Sequence, residues 1–352
     1  MASARHAGPE RQLDDCDLQL INQLQIDGRL ALGDLAETLG VHRNTAKARL
    51  DRLLKSRVLI PTVHLDPVYL GYLAPATIAV KVTPGQVNAI AHQVAALPSI
   101  QFVHVCTGAY DMFLSGGRFR SEEELYAFVT DQLSQVPGIL SVETMRSMGL
   151  ERFMLGPTTR RIRARASNRV AKAPGAPYSP EHPLDEQDSA IIRELQRDIR
   201  QSASALAAVL GMNRKSVAAR LERLLGEGIA KPVMIADPGA LGYRLGVILG
   251  VSVMPGMLTA VADGLKSLAN LQYLVLCMGR YNMLAWCRCR DLDDLGRMIT
   301  VDVAATPGIR EVAASLVLRE DKTPYPSVRV QPASGDDRAA AASVLSFRMM
   351  KG

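Results

Sequence analysis

The chain has 352 residues, a formal charge of +6 and five cysteines. It is long enough for more than one domain, too poor in cysteine for a disulfide scaffold, and basic enough to suit a polyanionic partner. The opening MASARHAGPERQLDD lacks the apolar core of a secretory signal, so a reducing, cytoplasmic protein is expected.

Residues 1 to 12 read as a lead without structure. A helix then starts at Leu13-Asp14, with Asp14 as its cap, Asp17 at its third position and Leu20, Ile21 and Leu24 as its buried stripe. A short helix, Asp34 to Leu39, is closed by Gly40. The next helix opens near His42 and carries an apolar stripe of Ala46, Leu50, Leu53 and Leu54. Its other face holds Asn44, Thr45, Ala48 and Arg52, with Arg49 at the border and Arg43 near the start. Helix, turn, helix is the geometry that lays one helix in a DNA major groove, and Arg43 sits where the dipole also draws phosphate.

This unit occurs twice. Gly40–Leu54 returns as Gly211–Leu225 at an offset of 171, and about 25 of the 60 positions from Leu13 to Tyr72 are identical at that offset. In the second copy the exposed face is Lys215, Ser216, Ala219 and Arg223, with Arg220 at the border and Arg214 near the start. Lys47 and Asn44 are replaced by Ala218 and Lys215, so the two copies should read different half-sites. An asymmetric operator follows. Asn213 and Ser202 are good caps; His42 is a poor one and Ala31 none.

After each unit come a short extended piece (Pro61–Leu65, Pro232–Ala236), Asp66-Pro67 or Asp237-Pro238, and Leu-Gly-Tyr. The pattern then predicts strand, helix, strand, strand, helix, strand. In the first copy these are Ala76–Val82, Val87–Leu97, Ile100–Cys106, Asp111–Ser115, Glu122–Gln135 and Ile139–Met145. In the second they are Gly246–Val253, Met257–Leu268, Leu271–Cys277, Asn282–Cys289, Leu292–Val303 and Ile309–Val317, one residue having been lost before Pro307. The order βαββαβ is the ferredoxin-like split unit, whose bare sheet face a second sheet would cover. Leu245–Ala262 is uncharged, but Pro255-Gly256 divides it, so a strand, a turn and a helix start are expected rather than a membrane span.

Residues 156 to 183 hold six cations, one acid and no apolar period, and read as a flexible linker; residues 323 to 352 form an Ala-rich tail. The expected domains are therefore 13–60 and 184–231 (winged helix-turn-helix), and 61–155 and 232–322 (sensor), in an α+β chain folded as an internal pseudo-dimer.

Leu13-Asp14, Asp17, Ile21 and Leu24 at the first helix, Leu35-Ala36 and Gly40, then Arg43, Arg49, Arg52 and Leu53-Leu54, carry a resemblance. With Asp66-Pro67, Leu70-Gly71-Tyr72, Gly108, Tyr110-Asp111-Met112 and Pro137-Gly138-Ile139, the chain resembles the Lrp/AsnC (feast/famine) family of transcription regulators. The resemblance implies DNA-binding units joined to ferredoxin-like sensors, back-to-back sheets, further oligomers, and an effector, commonly an amino acid, near the Gly-x-Tyr-Asp turn. By position it names Gly108, Tyr110, Asp111 and Thr144 in the first repeat, and Gly279, Tyr281 and Asn282 in the second, where Ala314 stands for Thr144. An Asp111 carboxylate would suit an ammonium and the Gly turn a carboxylate; Asn282 lacks the acid.

Two other readings stand beside this one. Siroheme decarboxylases share the tandem fold and, as the resemblance implies, carry His-Asn-Tyr-x-Arg ahead of a Tyr-Asn pair. Here Tyr281-Asn282 is preceded by Tyr273–Arg280 (YLVLCMGR), and His104 is two residues out of register in the first copy. A sensor scaffold that binds protein instead of DNA is the third. No cofactor is expected; the scattered His residues make no i, i+4 pair for zinc, and Cys106, Cys277, Cys287 and Cys289 read as small buried hydrophobes.

Overall fold

The computed structural model describes residues 13–65, 67–153 and 184–322; the lead, Asp66, the basic linker and the Ala-rich tail lie outside the described residues. The first repeat runs α1 (Asp15–Ile26), α2 (Leu32–Leu39), α3 (Arg43–Lys55), β1 (Leu59–Leu65), β2 (Ala76–Val82), α4 (Val87–Ala95), β3 (Phe102–Cys106), β4 (Met112–Ser115), α5 (Glu122–Ala127) and β5 (Ile139–Phe153). The second runs α6 (Glu186–Arg197), α7 (Ala203–Leu210), α8 (Arg214–Gly226), β6 (Ala230–Ala236), β7 (Leu245–Val253), α9 (Leu258–Lys266), β8 (Leu271–Met278), β9 (Met283–Cys289), α10 (Leu292–Arg297) and β10 (Ile309–Lys322). Both α5 and α10 continue as a π-helical stretch, Phe128–Leu133 and Met298–Val303.

The two helix-turn-helix units share one core. Leu20, Ile21, Leu24, Leu50 and Leu53 pack in the same cluster as Ile191, Leu195, Leu221 and Leu224. The strands that follow the units pair antiparallel with each other, from Leu59 opposite Ala236 to Leu65 opposite Ala230, and α1 lies against β6 while α6 lies against β1. Near the pseudo-twofold axis the two repeats approach closely. Gly28 and Ile199 occupy equivalent positions, and a Cβ on Gly28 would stand 2.8 Å from Ile199 Cδ1 and 3.0 Å from the Val233 backbone. Arg29 donates to the Gln201 carbonyl at 3.0 Å, and Arg200 to the Leu30 carbonyl at 2.6 Å, so each repeat closes the loop of the other.

The sensor sheets go beyond stacking back to back. Each has the ferredoxin-like order, β3-β4-β2-β5 and β8-β9-β7-β10, and the last strand of each repeat is longer than its apolar pattern predicts. The first part of β5 pairs with β2, and its extension pairs with β8, from Arg146 opposite Met278 to Phe153 opposite Tyr273. In the same way β10 pairs with β7 and then, from Val317 to Lys322, with β3. Register shifts in both extensions mark the bends that let one strand serve two sheets. The result is a closed eight-stranded barrel, which leaves no open sheet edge. Its interior is packed by Ala79, Phe113, Met145, Ile248 and Leu284 with Tyr110 and Tyr281, while separate clusters fill the space under the outer helices.

Leu245–Ala262 divides into β7 and the start of α9, and among the described residues no helix is long and apolar enough to cross a membrane. Cys106, Cys277, Cys287 and Cys289 are buried, and desolvation pushes the thiols of Cys106 and Cys277 up to about 12. Among the described residues no group of three or more His, Cys, Asp or Glu side chains converges as a metal cluster would.

Candidate DNA interface and candidate effector site

The turn before each exposed helix is made by a left-handed glycine. Gly40 and Gly211 both have φ +64, where a Cβ would be strained, and they allow the chain to leave α2 or α7 and enter α3 or α8 within three residues. His42 and Asn213 then cap those helices. Asn213 Oδ1 accepts from the Lys215 amide at 2.8 Å; His42, a poor cap by residue type, nevertheless fills the role, with Nδ1 accepting from the Asn44 amide at 3.3 Å. Ala31 makes no side-chain cap, whereas Ser202 accepts from the Ala205 amide at 3.2 Å.

The residues named from sequence divide into two sets. Arg43, Asn44, Thr45 and Lys47 on α3, and Arg214, Lys215 and Ser216 on α8, are exposed on the first turns of their helices. Lys47 is held to Asp51 at 2.6 Å on that same open face. Arg49, Arg52, Arg220 and Arg223 face the other way, towards the first helix of their own unit. Arg49 contacts Asp14 at 2.7 Å and Asp17 at 2.8 Å, and Arg52 contacts Asp17 at 2.5 Å. In the second unit Arg220 contacts Asp185 at 2.7 Å and Asp188 at 2.8 Å, and Arg223 pairs with Asp188. The Asp17 and Asp188 side chains are only 1% exposed, and each also completes the capping box of its helix. These four arginines therefore tie α3 to α1 and α8 to α6. Free guanidinium groups on the helix surface, as the helical wheel suggested, are not what the structure places there.

In the sensor barrel, the turn of each repeat rests on the last strand of the other. Gly108, at φ +109, leaves its missing Cβ 3.2 Å from Ser315 Oγ and 3.3 Å from the Ala314 carbonyl, and the Thr107 amide donates to the Leu316 carbonyl at 2.9 Å. Gly279, at φ +143, does the same against Met145 Cγ at 3.0 Å and the Thr144 carbonyl at 3.5 Å. Both approaches are tight for a Cβ, and the positive φ at each glycine strains any L side chain placed there.

Asp111 does not offer a free carboxylate. Its Oδ2 accepts from the Val82 amide at 2.9 Å and so finishes the end of β2. Asn282 Oδ1 does the same for the Val253 amide at the end of β7, at 2.8 Å. The Asp-to-Asn difference between repeats thus preserves one backbone function. Tyr110 and Tyr281 are buried between the sheets; Tyr110 donates its hydroxyl to Glu143, and desolvation together with that carboxylate raises its pKa. The Arg280 guanidinium stands over the Tyr281 ring at 5.7 Å. Glu143 and Arg280 were not expected from sequence. The available signal was the contrast between repeats, with Ala313 matching Glu143 and Ala109 matching Arg280.

Comparison with known proteins places these features in a family. The AsnC-type helix-turn-helix domain matches residues 13–54 and 184–225, and the Lrp/AsnC ligand binding domain matches 75–151 and 246–326. The HTH-type transcriptional regulator FL11 of Pyrococcus horikoshii is 35% identical over 134 residues, which cover 38% of this chain and 87% of that regulator. The chain belongs to the Lrp/AsnC family. LrpA of the same organism, also an HTH-type transcriptional regulator, is 31% identical over 140 residues, 40% of this chain and 99% of LrpA. Each of these relatives therefore matches one repeat's worth of this Lrp/AsnC chain. The tandem architecture has a counterpart in the crystal structure of the siroheme decarboxylase NirDL, with a TM-score of 0.59, 15% identity, and 94% of this chain and 98% of that one covered. At that identity the likeness is one of fold.

Proposed function

We propose that this Lrp/AsnC-type transcription regulator binds double-stranded operator DNA with both helix-turn-helix units at once and is controlled by a small effector, an amino acid or a molecule like one, at its sensor barrel. The observation that carries this reading is the pair of exposed, basic helix starts, Arg43 to Lys47 and Arg214 to Ser216, held on one shared core. Each puts guanidinium or ammonium groups where the helix dipole favours phosphate and short polar side chains where base edges can be reached. Because α3 offers Asn44 and Lys47 where α8 offers Lys215 and Ala218, the operator is asymmetric. The protein has no catalytic role in this reading; it acts in the cytoplasm and assembles further from pseudo-dimeric chains.

Fluorescence anisotropy on labelled DNA from upstream of the protein's own gene, with a random duplex beside it and a series of salt concentrations, is the direct test. Sequence-preferring binding that weakens steeply with salt supports the proposal. Equal binding to both duplexes refutes it.

The NirDL likeness favours one second reading, a siroheme decarboxylase-like enzyme. The buried aromatic and aliphatic side chains between the two sheets, among them Tyr110, Phe113, Met145, Tyr281 and Leu284, weigh against a large planar substrate there. Adding sirohaem to the purified protein is expected to leave the tetrapyrrole absorption spectrum unchanged; a shifted spectrum would favour the enzyme.

A further inference from the structure

The duplication creates two junctions at which a turn meets a last strand, and they are not chemically alike. At the first, Thr107 to Tyr110 meets β10, and the positions that could carry charge are Ala109, Ala313 and Ala314. At the second, Gly279 to Asn282 meets β5, and the equivalent positions are Arg280, Glu143 and Thr144. Tyr110 reaches across from its own turn to donate to Glu143, so both repeats supply polar groups to the second junction and neither supplies a charge to the first. Arg280 is exposed and Glu143 half-buried, which leaves both side chains within reach of solvent.

We propose that each chain carries one effector site instead of two, at the second junction, where Arg280 holds the carboxylate and Glu143 the ammonium of an α-amino acid. The inference rests on the effector reading given above and deepens it. A guanidinium presents paired donors that match a carboxylate, and a carboxylate oxygen beside it accepts from an ammonium. Tyr110 keeps Glu143 oriented by donating to it; burial and the neighbouring carboxylate hold the phenol in its protonated, donating form. Family positions alone would choose the first repeat, because it retains Asp111. That carboxylate is committed to the Val82 amide, and Asn282 performs the same task in the other repeat, so the acid is no guide to which half binds.

The test begins with a thermal-shift screen of the twenty common L-α-amino acids on the full chain. Isothermal titration follows with the one that shifts the protein most. One molecule should bind per chain, and Arg280→Ala and Glu143→Gln should each weaken it by about tenfold or more, as expected for a lost charge-assisted contact. Both variants should keep the circular dichroism of the parent. Building the missing charges at the first junction, with Ala109→Arg and Ala313→Glu together, should raise the stoichiometry from one towards two. Two equal sites in the parent chain, or an unchanged affinity in Arg280→Ala, would overturn the single-site inference and leave effector sensing standing. If none of the twenty binds, the single-site inference falls, together with the amino-acid form of the effector reading.

Discussion

Arg223→Ala separates structural arginines from DNA-facing ones. The Asp188 carboxylate that Arg223 meets is 1% exposed and has two cationic partners, Arg220 at 2.8 Å on one oxygen and Arg223 on the other. Arg223 itself is 18% exposed, so solvent screens the pair only weakly. Removing one partner of a buried pair typically costs about 3–5 kcal/mol, since the remaining charge keeps its desolvation penalty. Arg220 still compensates half of Asp188, which places the expected loss near the lower end, about 3 kcal/mol. Equilibrium urea unfolding followed by far-ultraviolet circular dichroism would report it, and hydrogen exchange should locate the loss in α6 to α8. Arg214→Ala, at the exposed start of α8, should stay within about 0.5 kcal/mol of the parent while weakening DNA binding. If Arg223→Ala costs less than about 1 kcal/mol, or Arg214→Ala costs more than it, the assignment of roles is wrong.

Replacing Arg43 and Arg214 together by Ala should lower the slope of log K against log salt by about 2, one phosphate contact each, in the anisotropy titration; an unchanged slope would take both residues off the phosphate backbone. Ala31→Ser should raise thermal stability by roughly 1 kcal/mol, because Ser202 already makes that cap in the second unit and Ala31 has the same extended backbone, φ −65 and ψ 147. No gain, or a loss, would mean that the α2 start cannot use the hydroxyl. Gly28→Ala should cost about 1–3 kcal/mol by pressing a methyl on Ile199 and the Val233 backbone, and Ile199→Val should recover part of it; simple additivity in the double variant would contradict direct contact. Burial, with Lys231 opposite on β6, holds His64 down to about 4. A histidine depressed in the folded state favours folding above its unfolded value, so stability should fall as pH drops from about 6.5 to 4, by at most roughly 3 kcal/mol. His64→Gln should flatten the profile in a pH series of urea melts, and a parent flat over that range would refute the account.

Local periodicity made most of the elements legible. The stripes through Leu20, Leu24, Leu50 and Leu53 and the strand Ala76–Val82 follow from 3.6-residue and two-residue patterns, and the offset of 171 reveals the second copy. Barrel closure was not legible. Beyond Met145, β5 continues as Arg146-Ser147-Met148-Gly149-Leu150-Glu151-Arg152-Phe153, with no alternation to announce a strand, because its partner β8 lies more than a hundred residues away and pairing there is a tertiary event. The arginines show the same limit. A helical wheel puts Arg52 on a polar face, but only the packing of α1 on α3 brings Asp17, 35 residues earlier, against it. Asp111 likewise looked like a free acid until the chain reversal placed the Val82 amide beside it.

Fusion of the repeats explains why such differences can accumulate. In a symmetric homodimer every substitution appears on both sides of the axis, so isoleucine in place of Gly28 would meet isoleucine, and two glycines would leave a gap. Within one chain, Gly28 and Ile199 divide the volume between them, with a Cβ-to-Cδ1 clearance of 2.8 Å that has no space for a second large side chain. Linkage removes the requirement for identity while keeping the pairing, and the same freedom reaches the functional surfaces. Asn44 and Lys215 face outward from equivalent helix turns, and Arg280 has Ala109 as its counterpart. On the proposed reading, two different DNA-facing helices would seat the regulator on an asymmetric operator in one orientation. With that orientation fixed, the single off-axis effector site proposed above would act on a defined half of the complex, a distinction that a symmetric dimer with two equal sites has no means to make.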